Sequence, residues 1–227
     1  MELSTFSDVR LNASSFRPEP NPFSTRFVRP GAIAYRRVDH GTLDELAVDF
    51  FGRCGGWAAI VGPHGTGKST LIASLKEKLV ERSKVFAHRF STTDRKFHEL
   101  RMEAKHWTPG NVIVVDGYEQ MSIYSRWRLG NLAHRRRTCL LITAHQEYRA
   151  FNTLWRTSVD EEQAKVIRNA LLTNRPDLLQ SHDLEIAWRA ARQSHPTDLR
   201  ETLMSMYDWV EEQKQKRPAS LKDSRAV

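Results

Sequence analysis

The eight residues Gly62-Pro63-His64-Gly65-Thr66-Gly67-Lys68-Ser69 have a spacing with a definite chemistry. They satisfy G-x-x-x-x-G-K-[ST] at every fixed position. Glycines let such a loop turn tightly enough to aim successive backbone N–H groups at the phosphates of a nucleotide. In that arrangement Lys68 reaches the β and γ phosphates and the Ser69 hydroxyl ligates Mg²⁺. A helix that starts at the loop adds its positive N-terminal dipole, so the expected nucleotide contacts run from Gly62 through Thr70. A second chemical group is Asp116, which ends the β-branched run Val112-Ile113-Val114-Val115. Open parallel sheets bind ligands beyond the carboxyl ends of their strands, so Asp116 is expected beside the loop, holding Mg²⁺ with Ser69 through water.

These groups need a scaffold, and its pieces are legible. Trp57-Ala58-Ala59-Ile60-Val61 is a short apolar run suited to a buried parallel strand. Leu71, Leu75 and Leu79 recur every four residues with Ile72 beside them, as in an amphipathic helix. Lys84 to Phe90 reads as a second strand, and Phe97, Leu100, Ala104 and Trp107 mark a helical face closed by Pro109-Gly110. Ile123, Trp127 and Leu132 suggest another helix facing the core, before a strand over Thr138 to Thr143 that ends at His145. Thr153-Leu154-Trp155-Arg156 is a candidate fifth strand. Alternating strands and helices with crossovers of this length build a right-handed doubly wound parallel sheet with helices on both faces.

The flanks differ. Residues 1–24 are rich in Ser, Asn and Pro and read as a flexible N-terminal arm. Arg26-Phe27-Val28-Arg29 and Ala32-Ile33-Ala34-Tyr35 read as extended pieces around a Pro30-Gly31 turn. Thr42 is placed to cap a helix carrying Leu43, Leu46, Ala47 and Phe50, stopped by Gly52. The α/β unit spans 25–157. From Ser158 the pattern is helical: Ser158-Val159-Asp160-Glu161 reads as a capping box before Ala164, Ile167 and Leu171, and Asp183 as the cap of a helix carrying Leu184 and Trp188. A last helix carries Leu199, Leu203, Met206 and Val210. This three-helix unit, 158–213, has the size of a lid, and 214–227 is a polar tail.

The composition, 40% hydrophobic and 27% charged over 227 residues, is that of a soluble globular chain. It has neither a spanning apolar run nor a secretion signal, so the expected place is the cytoplasm and no membrane contact is expected. Cys54 and Cys139 form no C-x-x-C pair and read as reduced small hydrophobes. A formal charge of +8 suits nucleic acid and also polyphosphate ligands. The densest cluster, His134-Arg135-Arg136-Arg137, is read as a helix end favoured by the dipole or as a contact surface for nucleic acid or a partner.

Taken together, Gly62–Ser69 and Asp116 resemble the P-loop NTPases. The helical unit after a short fifth strand is similar to the AAA+ and AAA-like ATPases, over roughly residues 26 to 213, with ABC-type ATPases second. The resemblance implies ATP and Mg²⁺ as ligands, a lid over the nucleotide, and adenine near Phe27 to Tyr35. The N-K-x-D phrase that GTPases use for guanine is absent. His145 occupies the place of the polar γ-phosphate sensor at the end of the fourth strand. His195-Pro196-Thr197-Asp198-Leu199-Arg200 is similar to the phrase carrying the lid's sensor arginine, which singles out Arg200. Thr173-Asn174-Arg175-Pro176-Asp177 looks like another sensor phrase but follows a helix instead of a strand. The family's catalytic glutamate directly follows the magnesium aspartate; here Gly117 stands there and Glu119 is the nearest substitute. Rings of that family lend an arginine finger to a neighbour, a role open to Arg135, Arg136, Arg137 or Arg156.

The leading expectation is an ATP- and Mg²⁺-binding ATPase of AAA-like type, slow or regulated in hydrolysis, that couples nucleotide state to movement of its lid or of a partner, with a protein partner or self-association as the expected contacts besides ATP. A non-hydrolysing nucleotide switch is one alternative. A small-molecule kinase is another, for which Arg126, Arg128 and Arg156 are available. A nucleic-acid motor is a third, supported only by charge.

Overall fold

The computed structural model describes residues 20–28, 42–91 and 96–216. After a short helix, α1 (Thr25–Val28), and a second, α2 (Leu43–Phe51), the chain enters a five-stranded sheet. Its strands are β1 (Trp57–Val61), β2 (Val85–Arg89), β3 (Val112–Asp116), β4 (Cys139–Ala144) and β5 (Asn152–Arg156). Every pairing is parallel, in the order β2-β3-β4-β1-β5. The three central strands are buried along nearly their whole length, which is why they read as continuous apolar runs.

Helices cover both faces, and the side-chain alternation of β3 shows how. Val112 and Val114 pack with Leu46 and Phe50 of α2 and with Leu71, Leu75 and Leu79 of α3 (Lys68–Val80). Ile113 and Val115 point the other way, to Leu100 of α4 (Lys96–Glu103), Trp107, and Leu129 and Ala133 of α5 (Ile123–Arg136). Successive residues of a strand face opposite sides, so one apolar run serves two helical layers. α2 starts as expected: Thr42 Oγ1 accepts from Glu45 N at 3.1 Å, and Glu45 Oε2 accepts from Thr42 N at 2.7 Å.

Beyond β5 lie α6 (Glu161–Leu171), α7 (Pro176–Leu179), α8 (His182–Ser194) and α9 (Leu199–Lys216). They close on Trp188, which is fully buried among Ala164, Leu184, Leu203 and Met206. Burying such large apolar side chains contributes roughly 1.5–3 kcal/mol each. Among the described residues, no helix is long and apolar enough to cross a membrane.

Several local expectations are corrected. Arg26 to Val28 are helical in α1 rather than extended, and the expected turn at Pro30-Gly31 and the piece at Ala32 to Tyr35 lie outside the described residues. Asn21 to Phe23 of the expected arm are buried: Phe23 is 2% exposed within the helical cluster, and Asn21 Nδ2 donates to Tyr207 O at 2.9 Å. α6 is capped by Asp160, whose carboxylate accepts from Gln163 N at 2.7 Å, and not by Ser158. Ser181 rather than Asp183 caps α8. The unit has a fourth short helix because Pro176 fits a first helical turn, where its missing N–H costs nothing. Finally, α5 is rotated relative to its expected face: Ser125, Leu129 and Ala133 are inward and Ile123 and Trp127 outward. Leu132 packs partly against the core. Both cysteines are free, Cys54 buried and Cys139 half-buried.

Candidate functional site

The strand register assembles the site. Val61 pairs with Ala144 on one side and Arg156 on the other, while Arg89 pairs with Asp116. The carboxyl ends of all five strands therefore emerge along one edge, where the glycine loop leaves β1 and enters α3. Gly67, at φ 86°, makes that entry in the left-handed conformation that glycine adopts without steric cost. Lys68 is buried, and its ammonium donates to Gly62 O and Pro63 O at 2.6 Å each. Burial holds the Lys68 pKa below its ordinary value, opposed by the nearby carboxylates of Glu119, Asp116 and Asp198. Thr66 Oγ1 braces the loop on Pro63 O at 2.8 Å and on Thr157 Oγ1, after β5, at 2.7 Å.

Ser69 and Asp116 meet directly. Ser69 Oγ donates to Asp116 Oδ1 at 2.9 Å, and Thr143 Oγ1 donates to the same oxygen at 2.8 Å. Thr143 also accepts from Gly117 N at 2.8 Å, so one buried hydroxyl orients the carboxylate and the turn after it. Arg89 Nε donates to Asp116 Oδ2 at 2.8 Å. Neither Thr143 nor Arg89 stands out in the sequence; the parallel pairing of β2, β3 and β4 brings them here. Among the described residues no group of three or more His, Cys, Asp or Glu stands together as a metal site. A hydroxyl beside a single carboxylate nevertheless fits Mg²⁺, which takes one or two carboxylates and completes its shell with water and phosphate oxygens.

The turn after β3 carries Glu119 in a 3₁₀ turn over Tyr118–Gln120. Arg126 of α5 pins that turn by donating from Nη2 to Glu119 O at 2.7 Å and from Nε to Met121 O at 2.8 Å. Glu119 Oε1 lies 2.9 Å from His145 Nε2. Glu119 Oε2 is buried without a hydrogen-bond partner among the described residues. The imidazoles of His145 and His64 meet edge to face, with centroids 3.7 Å apart. Gly117, at φ 85°, lies so close to β2 that a Cβ would stand 2.5 Å from Phe90 O. A side chain is excluded there, so the position directly after Asp116 offers no carboxylate.

Burial lowers the His145 pKa from its ordinary 6.5, with Lys68 and His64 pushing the same way and Glu119 opposing. The native chain thus takes up this proton at lower pH than the unfolded chain. The unfolded state binds more protons between 6.5 and the lowered value, so stability falls as pH drops through that window. Denaturant midpoints at neutral and acid pH are expected to separate less in His145→Gln than in the unaltered chain; equal separation would remove this role from His145.

The helical unit comes to the loop through the start of α9. Gly65 stands at φ 67°, which favours glycine, and is approached so closely that a Cβ there would lie 1.8 Å from Asp198 Oδ1 and 3.1 Å from Arg200 N. Arg192 holds the turn before α9 by donating to His195 O at 3.1 Å and Pro196 O at 2.9 Å. A cavity of about 920 Å³ joins the loop, Asp116, Glu119 and His145 to an apolar end lined by Phe23, Val28, Val159, Ile167 and Leu203. Arg200, exposed in the first turn of α9, also lines it. The phrase Thr173–Asp177 runs from the turn after α6 into the first turn of α7 and follows no strand, with Arg175 paired to Asp177 at 2.7 Å. Arg156 is paired with Glu147. His134, Arg135 and Arg136 fill the last turn of α5, and Arg137 is its C-cap.

No family model matches this chain. No curated protein matches it either. Among solved structures, that of C. elegans PCH-2 is similar at TM-score 0.36 and 12% identity, over 76% of this chain and 67% of that chain. A likeness this distant fixes neither a family nor an activity.

Proposed function

We propose that this chain is an ATP- and Mg²⁺-dependent P-loop ATPase of AAA-like type, in which the unit from 158 to 213 acts as a lid that couples nucleotide state to a partner or to self-association. The observation that carries this reading is the meeting of Ser69 Oγ and Asp116 Oδ1 at 2.9 Å beside the buried Lys68, at the carboxyl edge of a parallel sheet. A glycine loop opening a helix, an ammonium, a hydroxyl and a carboxylate form the donor set that a Mg²⁺–triphosphate requires. The ion would supply charge neutralisation on the phosphates; the chain's own residues bind, orient and position water.

The Lys68 ammonium, which donates to Gly62 O and Pro63 O, would turn from these carbonyls to the β and γ phosphates. The apolar end of the cavity takes the base, in the neighbourhood of Phe23 and Val28. Glu119 serves as general base, its orientation held by His145, and Arg200 reaches the phosphates from the lid. The kinase reading loses support because Arg126 is committed to the turn at Glu119 and Arg156 to Glu147. The non-hydrolysing switch keeps one supporting observation, the tie between Glu119 and His145.

The test is nucleotide titration together with phosphate release from Mg²⁺–ATP. The unaltered chain is expected to bind and turn over, and Lys68→Ala to lose at least tenfold in affinity, since a charge-assisted contact contributes roughly 1.5–3 kcal/mol. Binding without release would select the switch. Absence of binding in the unaltered chain would end the proposal.

A further inference from the structure

α5 rests on the sheet through Ser125, Leu129 and Ala133, and its opposite face is aromatic. Ile123 is 83% exposed, Trp127 64% and Tyr124 63%. At about 100° per residue, these three share one stripe with Asn131, His134 and Arg135. The Tyr124 and Trp127 rings stack with centroids 6.1 Å apart and planes 27° from parallel. The Arg128 guanidinium lies 5.4 Å from the Tyr124 ring and 5.8 Å from the Phe97 ring of α4, so α4 borders the same surface.

The charge on this face has one dominant sign. On and beside this face α5 presents Arg128 and Arg135, no carboxylate stands among its 14 residues, and Arg126 is turned away to Glu119 O and Met121 O. Arg101 and Lys105 are exposed next door; of the nearby acids, Glu103 is engaged by His88 at 2.6 Å, leaving Glu99 exposed. The helix dipole accounts for cations in the last turn. It does not account for Arg128 in the first half, or for two large aromatic rings turned to water.

We propose that this face binds single-stranded nucleic acid, with bases stacking on Trp127 and Tyr124 and the backbone tracking along Arg128 and Arg135. Every base has a π-face and every nucleotide a negative charge, which matches exposed aromatic planes set among arginines. An acidic protein would answer the charge alone, and a duplex hides its base faces. The inference is independent of the ATPase reading, because it needs no nucleotide at the glycine loop.

The experiment is anisotropy of a labelled oligothymidylate titrated with the full chain at several salt concentrations, without ATP. Saturable binding is expected. Trp127→Ala and Tyr124→Ala should each weaken it by roughly tenfold, with unchanged circular dichroism because both side chains are exposed. Arg128→Gln combined with Arg135→Gln should reduce the slope of log K against log salt by about 1.4. The proposal is overturned if the oligonucleotide does not bind at low salt, or if Trp127→Ala binds it as well as the unaltered chain. It is overturned too if a duplex or polyglutamate binds as tightly as the single strand; in the polyglutamate case the face would be a site for an acidic protein.

Discussion

Glu119→Gln is expected to lower phosphate release from ATP by roughly 10²–10⁴-fold while leaving nucleotide affinity within a few-fold of the unaltered chain. The turn that bears Glu119 is held by two donors from Arg126, so the substitution changes the group and not its place. One carboxylate oxygen is tied to His145 and the other is buried without a partner among the described residues, which leaves it to accept a proton from water in the cavity. Gln keeps the size of the side chain and an oxygen for His145 but cannot act as a base. Single-turnover release and a fluorescent-nucleotide titration separate the two effects. Unchanged release would remove Glu119 from the chemistry and leave the non-hydrolysing switch as the better reading.

A carboxylate placed directly after Asp116 should be poorly tolerated. Gly117→Glu is expected to cost at least about 1–3 kcal/mol from the left-handed backbone alone. The collision adds to this, since a Cβ would meet the rigid carbonyl of Phe90 at 2.5 Å. The lost stability is read by chemical denaturation. In the Glu119→Gln background the same change should not restore phosphate release, because relieving the contact displaces the end of β3 and with it Asp116. Stability equal to that of the unaltered chain would show that the turn relaxes freely, and restored release would move the general base to position 117.

Much of the scaffold is legible without coordinates, for a physical reason. A strand buried on both faces must be apolar throughout, so Val112 to Val115 and Leu140 to Ile142 announce themselves, and β3 and β4 lie where those runs predict. The loop is legible because its glycines, lysine and serine are required by local geometry within eight consecutive residues. Caps are less legible: Ser158 and Asp160 before α6, and Ser181 and Asp183 before α8, are all competent acceptors, and the helices begin at Asp160 and Ser181. The face of α5 was misread because Ile123 and Trp127 follow a helical period that the structure uses for surface instead of core.

What the sequence determined by itself is local: which runs become strands, where the glycine loop turns, and that Asp116 stands at the end of an apolar strand. Only the tertiary structure decided what meets across the chain. Parallel register set Arg89 and Thr143 on Asp116, the return of β4 brought His145 to Glu119, and the packing of α9 seated Asp198 against Gly65. These contacts join residues tens of positions apart, and no local periodicity encodes them. They follow from burying two faces of one sheet beneath helices, and from closing the helical unit around Trp188.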